Sequence, residues 1–162
     1  MVDQEQQAAD LAVRKSVVVQ APQERAFSVF TAGMTSWWPI ESHSIGTKPM
    51  ANAVIEPHAG GRWFERSADG TECDWGRVLA WEPPSRVVLA WQISADWQAD
   101  PSIHTEIEVR FTAEDERRTR VELEHRGLGA FGERAEQMRA VFGSDDGWNG
   151  LLARFAEKSA VV

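Results

Sequence analysis

The stretch HTEIEVRFTAEDERRTRVELEH, residues 104–125, decides the fold class. In its first half Ile107, Val109 and Phe111 fall on one face of an extended chain, and His104, Glu106, Glu108 and Arg110 fall on the other. After the charged turn Glu114-Asp115-Glu116 the period of two resumes. Thr119, Val121, Leu123 and His125 share the apolar face, while Arg120, Glu122 and Glu124 lie outside. This is the pattern of antiparallel strands with one face covered and one face wet, and it turns His125 inward and His104 outward.

The cover lies further on. Trp148, Leu151, Leu152 and Phe155 stand at i, i+3, i+4 and i+7, one apolar face of a final helix. Ser144, Asp145 and Asp146 before it read as an N-cap and an acidic first turn. Burying those four side chains contributes about 6–12 kcal/mol before entropy is subtracted. A second helical pattern, Glu133 to Phe142, precedes it and stops at Gly143.

Toward the N-terminus the strand signals continue. Val54 to Glu56, Arg62 to Arg66, Thr71 to Trp81 and Val87 to Ile93 are separated by Gly60-Gly61, Asp69-Gly70 and Pro83-Pro84. Val13 to Gln20 is a further strand, and Pro22 opens a helix that runs to Gly33, followed by a short turn Met34 to Trp38. The expected architecture is α+β: a curved antiparallel sheet of about seven strands around a long C-terminal helix, with two short helices after the first strand. Residues 1–12 read as a flexible leader and residues 13–162 as one domain.

Composition narrows the partners. The 162 residues carry a formal charge of −8, and the 17 basic residues are interleaved with acids, which speaks against nucleic acid. No apolar run reaches the length of a membrane span. The single Cys73 excludes an internal disulfide and a Cys-based zinc site, its acidic neighbours Glu72 and Asp74 disfavour the thiolate, and the polar N-terminus lacks a signal sequence. A cytoplasmic protein, a monomer or weak homodimer, is the expectation. The unusual quantity is eight Trp and seven Phe with no Tyr, which fits either a bulky core or an aromatic-lined pocket.

The landmarks Gly60-Gly61-Arg62-Trp63, Asp69-Gly70, Trp75-Gly76-Arg77-Val78, Glu82-Pro83-Pro84-Ser85-Arg86-Val87-Val88, Trp91, Val121-Glu122-Leu123-Glu124-His125 and Gly147-Trp148 carry a resemblance. The chain from Val13 onward resembles the bacterial family similar to the C-terminal domain of the heat-shock-chaperone ATPase activator (AHSA-type), within the START-like (SRPBCC) superfamily. That resemblance implies a helix-grip fold with an internal cavity. The eukaryotic activator carries a separate chaperone-binding domain for which 162 residues leave no room, so its co-chaperone role is not implied. Polyketide cyclases share the superfamily, but no cyclase acid/base pair can be placed in this sequence.

Candidate ligand-binding residues follow from strand parity and local composition. Trp91 alternates with Ala90 and Gln92 and faces inward, whereas Gly76 and Val78 share a face that leaves Trp75 outside. Trp63 and Glu65 share a face opposite Phe64, and alternation alone does not orient that strand. Trp37-Trp38-Pro39, followed by a polar loop bearing His43, has the composition of a pocket mouth or of a plug on the sheet. His125 can anchor a ligand or exchange a proton, or it can be a core histidine bonded to backbone. The candidate lining is Phe30, Trp37, Trp38, Trp63, Trp91, His125, Trp148 and Leu152, with His43 and Glu65 as polar anchors.

No residues are assigned to catalysis or metal binding, and no cofactor is expected. His104-Thr105-Glu106 matches half of a zinc-deaminase signature without its cysteines, and H-E-x-x-H, G-x-S-x-G and P-loop patterns are absent from the sequence. The leading expectation is a noncatalytic carrier or sensor of a small hydrophobic or aromatic molecule. The alternatives are a cyclase- or hydrolase-like enzyme using an inward histidine, and a regulator that acts on a chaperone.

Overall fold

A computed structural model describes residues 11–160. The strands are β1 (Ala12–Val19), β2 (Met50–Ile55), β3 (Arg62–Ser67), β4 (Glu72–Glu82), β5 (Arg86–Trp91), β6 (Thr105–Asp115) and β7 (Arg118–Arg126). The helices are α1 (Gln23–Phe30), α2 (Met34–Trp37), α3 (Ala135–Phe142) and α4 (Trp148–Ser159), with a 3-10 turn over Leu128–Arg134. All seven strands form one antiparallel sheet in the order β1-β7-β6-β5-β4-β3-β2. The first strand therefore pairs with the last, and α1 and α2 carry the chain across the sheet to the opposite edge. This is the α+β helix-grip fold expected from the sequence. Of the leader, residues 1–10 lie outside the described residues, and Ala12 already belongs to β1.

The parity of β6 and β7 is as read. Ile107, Val109, Phe111, Val121, Leu123 and His125 are buried on the concave face, and His104 is exposed beside Glu106. The convex face is charged. Glu108 accepts from Arg86 at 2.6 Å, Arg126 at 2.6 Å and Arg110 at 3.0 Å. Burial raises the Glu108 carboxyl, and hydrogen bonds from these three guanidiniums outweigh it, holding its pKa at about 2. Phe64, the opposite-face partner of Trp63 and Glu65, lies under the Arg62 guanidinium, 4.1 Å from its ring centroid.

The apolar stripe of α4 is buried as its spacing requires, with Trp148, Leu151, Leu152 and Phe155 all in the core. Its start differs from the sequence reading. Ser144 does not cap it: the Ser144 hydroxyl donates to the Val141 carbonyl at 2.7 Å, and the helix begins after Gly147 with no side-chain cap. The reason is steric. A Cβ on Gly147 would sit 2.4 Å from the carbonyl oxygens of Val141 and Phe142, so the chain turns tightly off the end of α3 through a glycine. The helical reading of Glu133 to Phe142 holds from Ala135, and the 3-10 turn before it breaks at Gly132 (φ 60°, ψ −125°).

Candidate aromatic pocket

Five tryptophans close a ring under α4. Ring-centroid separations are 4.9 Å for Trp38–Trp75, 5.5 Å for Trp75–Trp63, 5.6 Å for Trp63–Trp91, 6.5 Å for Trp91–Trp148 and 6.4 Å for Trp148–Trp38. Each contact of this kind contributes about 0.5–1.5 kcal/mol beyond area burial. Against the ring opens a cavity of about 390 Å³. Its walls are Trp38, Trp75, Trp91, Trp97, Trp148 and Phe142, with Ile45, Ile93, Val141 and Leu151 between them. Ser42, His43, Ser44 and Asp146 supply the polar groups of its rim.

Strand chemistry sets this geometry. Gly76 pairs with Trp91 so closely that a Cβ on Gly76 would lie 1.6 Å from the Ala90 carbonyl oxygen. Between Trp63↔Gly76 and Phe64↔Asp74 the register slips by one residue. Trp75 is the extra residue of a β-bulge, released from strict alternation. Its side chain is 1% exposed and lines the pocket, which corrects the outward placement read from parity. Gly76 and Val78 share a face as expected; the bulge adds Trp75 to the interior.

The buried Glu65 holds the mouth loop to the sheet. Its carboxylate accepts from the Ile45 amide at 2.6 Å, the Gly46 amide at 3.2 Å and the Trp75 indole at 2.9 Å. Three donors satisfy a buried carboxylate that has no cation among its hydrogen-bond partners. Cys73 lies alongside, and burial, then Glu65 and Asp74, push its thiol pKa up. On the other side of the loop, His43 Nε2 donates to the Asp146 carbonyl at 2.7 Å, and Nδ1 accepts from the Ser42 hydroxyl at 2.8 Å. His43 thereby fastens the mouth loop to the turn that starts α4.

His125 is buried, and both its ring nitrogens bond side chains where the core reading expects backbone. Trp148 Nε1 donates to its Nδ1 at 3.1 Å, its Nε2 donates to Thr105 Oγ1 at 2.8 Å, and that hydroxyl donates to the Trp91 carbonyl at 3.1 Å. Trp91, Phe142 and Trp148 enclose the ring, and burial lowers its pKa to about 3, so it is neutral.

Of the sequence-derived candidates, Trp38, His43, Trp91 and Trp148 meet at this cavity. Trp63, Glu65 and His125 stand directly behind its walls, bonded or stacked to wall residues. Phe30, Trp37 and Leu152 fill the packed half of the core instead. There Phe30 stacks on Trp37 at 5.1 Å and on Phe155 at 5.3 Å, and neither they nor Leu152 border the cavity. Sequence reasoning missed Trp97 and Phe142. Trp97 stands alone among polar residues in the β5–β6 connection, 43% exposed at the mouth with φ +61°, and its ring meets Phe142 edge-on at 6.3 Å. A lone Trp in a polar loop is a visible signal.

Another concavity among the described residues, about 360 Å³ on the convex face, is bordered by Arg14, Lys15, Glu108, Arg110 and Glu124. Its arginines are already paired internally, Arg14 with Glu124 at 2.7 Å and Arg110 with Glu108 at 3.0 Å. No helix among the described residues is long and apolar enough to cross a membrane.

Comparison with known proteins agrees with this architecture. The family described as Activator of Hsp90 ATPase homolog 1-like protein matches residues 20–159. No curated protein matches the chain. Among solved structures, the anthrahydroquino-γ-pyrone synthase Txn09, complexed with SUM, is 42% identical over 93% of this chain and 97% of its own, with TM-score 0.64. CalC, a self-sacrificing resistance protein from Micromonospora echinospora, is 31% identical over 93% of this chain and 95% of its own, with TM-score 0.69. Protein MLL2253 from Mesorhizobium loti, 17% identical over 90% of this chain and 94% of its own with TM-score 0.64, shares the fold.

Proposed function

From the premise that the chain belongs to the Activator of Hsp90 ATPase homolog 1-like family, we propose that it binds a flat, polycyclic aromatic small molecule in the pocket beneath α4. The observation that carries this reading is the wall itself: five tryptophans and Phe142 around about 390 Å³, with polar groups confined to the rim. Aromatic faces at fixed spacing favour a planar ring system over a flexible aliphatic chain, because stacking adds to area burial. The 42% identity to a synthase of a fused aromatic pyrone supports the same ligand class. The buried hydrogen-bond chain through His125 holds Trp91 and Trp148 in place, so the wall is pre-organised.

The test is calorimetric titration with anthraquinone-2-sulfonate, a soluble planar probe. One-to-one binding that is abolished by Val141→Trp, which fills the cavity, is the expected result. No binding, or binding indifferent to Val141→Trp in a folded variant, would overturn the reading.

A second reading is favoured by the Ser42–His43 pair on the rim and by the synthase relative: the bound aromatic is a substrate for closure of an oxygen ring, in which a hydroxyl adds across a conjugated carbon–carbon multiple bond, the new C–O bond and a C–H bond replacing the O–H and π bonds with nothing expelled. Anchored on Nε2 by the Asp146 carbonyl, His43 presents Nδ1 to the Ser42 hydroxyl, an arrangement able to pass a proton to or from a ligand at the mouth. Ser42→Ala and His43→Gln would then retain binding and lose turnover of an open-chain aryl ketone. Full turnover in both variants would remove Ser42 and His43 from the chemistry, and no turnover by the native protein would leave the carrier.

A further inference from the structure

Glu65 is 0% exposed, and its three hydrogen-bond partners are all donors: the Ile45 and Gly46 amides and the Trp75 indole. That is the bonding pattern of an ionised carboxylate, and none of the three donors carries a charge to offset it. The arginines nearest in sequence, Arg62 and Arg66, lie over Phe64 on the other face of β3 and are paired with Glu72 and Asp74. A negative charge is therefore buried one side chain behind the cavity, and the side chain between the two is that of Trp75, which borders it. An indole N–H that donates to an anion in a low-dielectric interior is polarised by it, and the negative potential of the ring faces deepens. Trp38 and Trp148 also line the cavity and donate their N–H groups, but to neutral acceptors, the His43 carbonyl and His125. No lysine or arginine is among the described residues that line the cavity.

We propose that Glu65 is a specificity-determining residue: its charge, acting through the Trp75 indole, makes the pocket favour electron-poor or positively charged ring systems over electron-rich ones of the same shape. This rests on the reading of the pocket as a site for planar aromatics and adds the electronic class of the ligand. A ring system bearing electron-withdrawing carbonyls, such as a quinone, belongs to the favoured class, and a fused aromatic cation is its extreme member. The same carboxylate that ties the mouth loop to the sheet thus also sets the preference of the wall it stands behind.

The experiment pairs two probes with the same three fused rings, one nitrogen and one methyl group: N-methylacridinium, a fixed cation, and 9-methylacridine, neutral at about pH 8. The native protein is expected to bind the cation about tenfold more tightly. Glu65→Gln is expected to bring the two affinities within about twofold of each other, whatever its effect on their common level. The ratio separates the charge from the tether, because a loosened mouth weakens both probes alike. Asp146→Asn discharges the rim and leaves in place the backbone carbonyl that holds His43, and it is expected to keep the tenfold ratio. Loss of the ratio in Asp146→Asn would put the selecting charge on the rim and overturn the inference, even if Glu65→Gln fails to fold. A ratio that survives Glu65→Gln, or equal binding of the two probes by the native protein, would also overturn it while sparing the pocket. Binding of neither probe would overturn both.

Discussion

Trp148 Nε1 donates to His125 Nδ1 at 3.1 Å, and that one bond fixes the proton of the imidazole on Nε2. The helix cover and the sheet are thus joined at the pocket by a bond that exists only while His125 is neutral. Burial holds its pKa at about 3, against an ordinary 6.5. Below pH 6.5 the unfolded chain takes up a proton that the native state refuses. Stability is complete above 6.5 and falls by about 1.4 kcal/mol per pH unit beneath it, until native His125 titrates. Glu108, whose pKa is lowered from 4.5 to about 2, contributes the same sign of loss only below 4.5. Urea unfolding at pH 7, 6 and 5 should show the decline, and His125→Gln should flatten it. An equal slope in both proteins would place the titration elsewhere.

Glu65→Gln should loosen the mouth. Three N–H groups converge on the carboxylate, and an amide offers them one acceptor oxygen and one opposing donor. The expected loss is about 2–3 kcal/mol. Amide exchange at Ile45 and Gly46 should accelerate more than exchange in β6 and β7, and uniform acceleration would point to global destabilisation without a tether.

Gly76→Ala tests the close approach that seats Trp91. With a Cβ 1.6 Å from the Ala90 carbonyl oxygen, the strands must part or the bulge at Trp75 must move. The variant should lose more than about 4 kcal/mol, among the largest effects of a single added methyl group. A thermal midpoint within a few degrees of the native protein would show that β4 and β5 separate easily there.

The difference between what was legible and what was not has a physical basis. The two-residue period of 104–125 and the stripe from Trp148 to Phe155 each have one energetic solution, an apolar face buried, so sheet and helix could be read directly. His125 inward and His104 outward follow from the same parity. Trp75 did not follow, because a bulge is a property of two strands in register and neither strand alone records it. Phe30, Trp37 and Leu152 have the same composition and burial as true wall residues. Whether a buried ring fills space or borders it depends on the packing of all its neighbours, to which no local pattern responds.

Trp97 combines strain with exposure. At φ +61° a bulky side chain is held in left-handed backbone at a cost of about 1–2 kcal/mol, while its ring stands 43% exposed at the pocket mouth against Phe142. Strain of this kind persists where the surroundings or a function over-determine it. Trp97→Gly relieves the backbone and removes the ring, whereas Trp97→Ala removes the ring and keeps the strain. The glycine variant should therefore be more stable than the alanine variant by about 1 kcal/mol. Both should bind anthraquinone-2-sulfonate more weakly by the same factor, about fivefold, since one aromatic contact is lost in each. Chemical unfolding and calorimetric titration of the two variants separate the effects. Equal stability would deny the strain, and native affinity in both would remove Trp97 from the pocket's working surface.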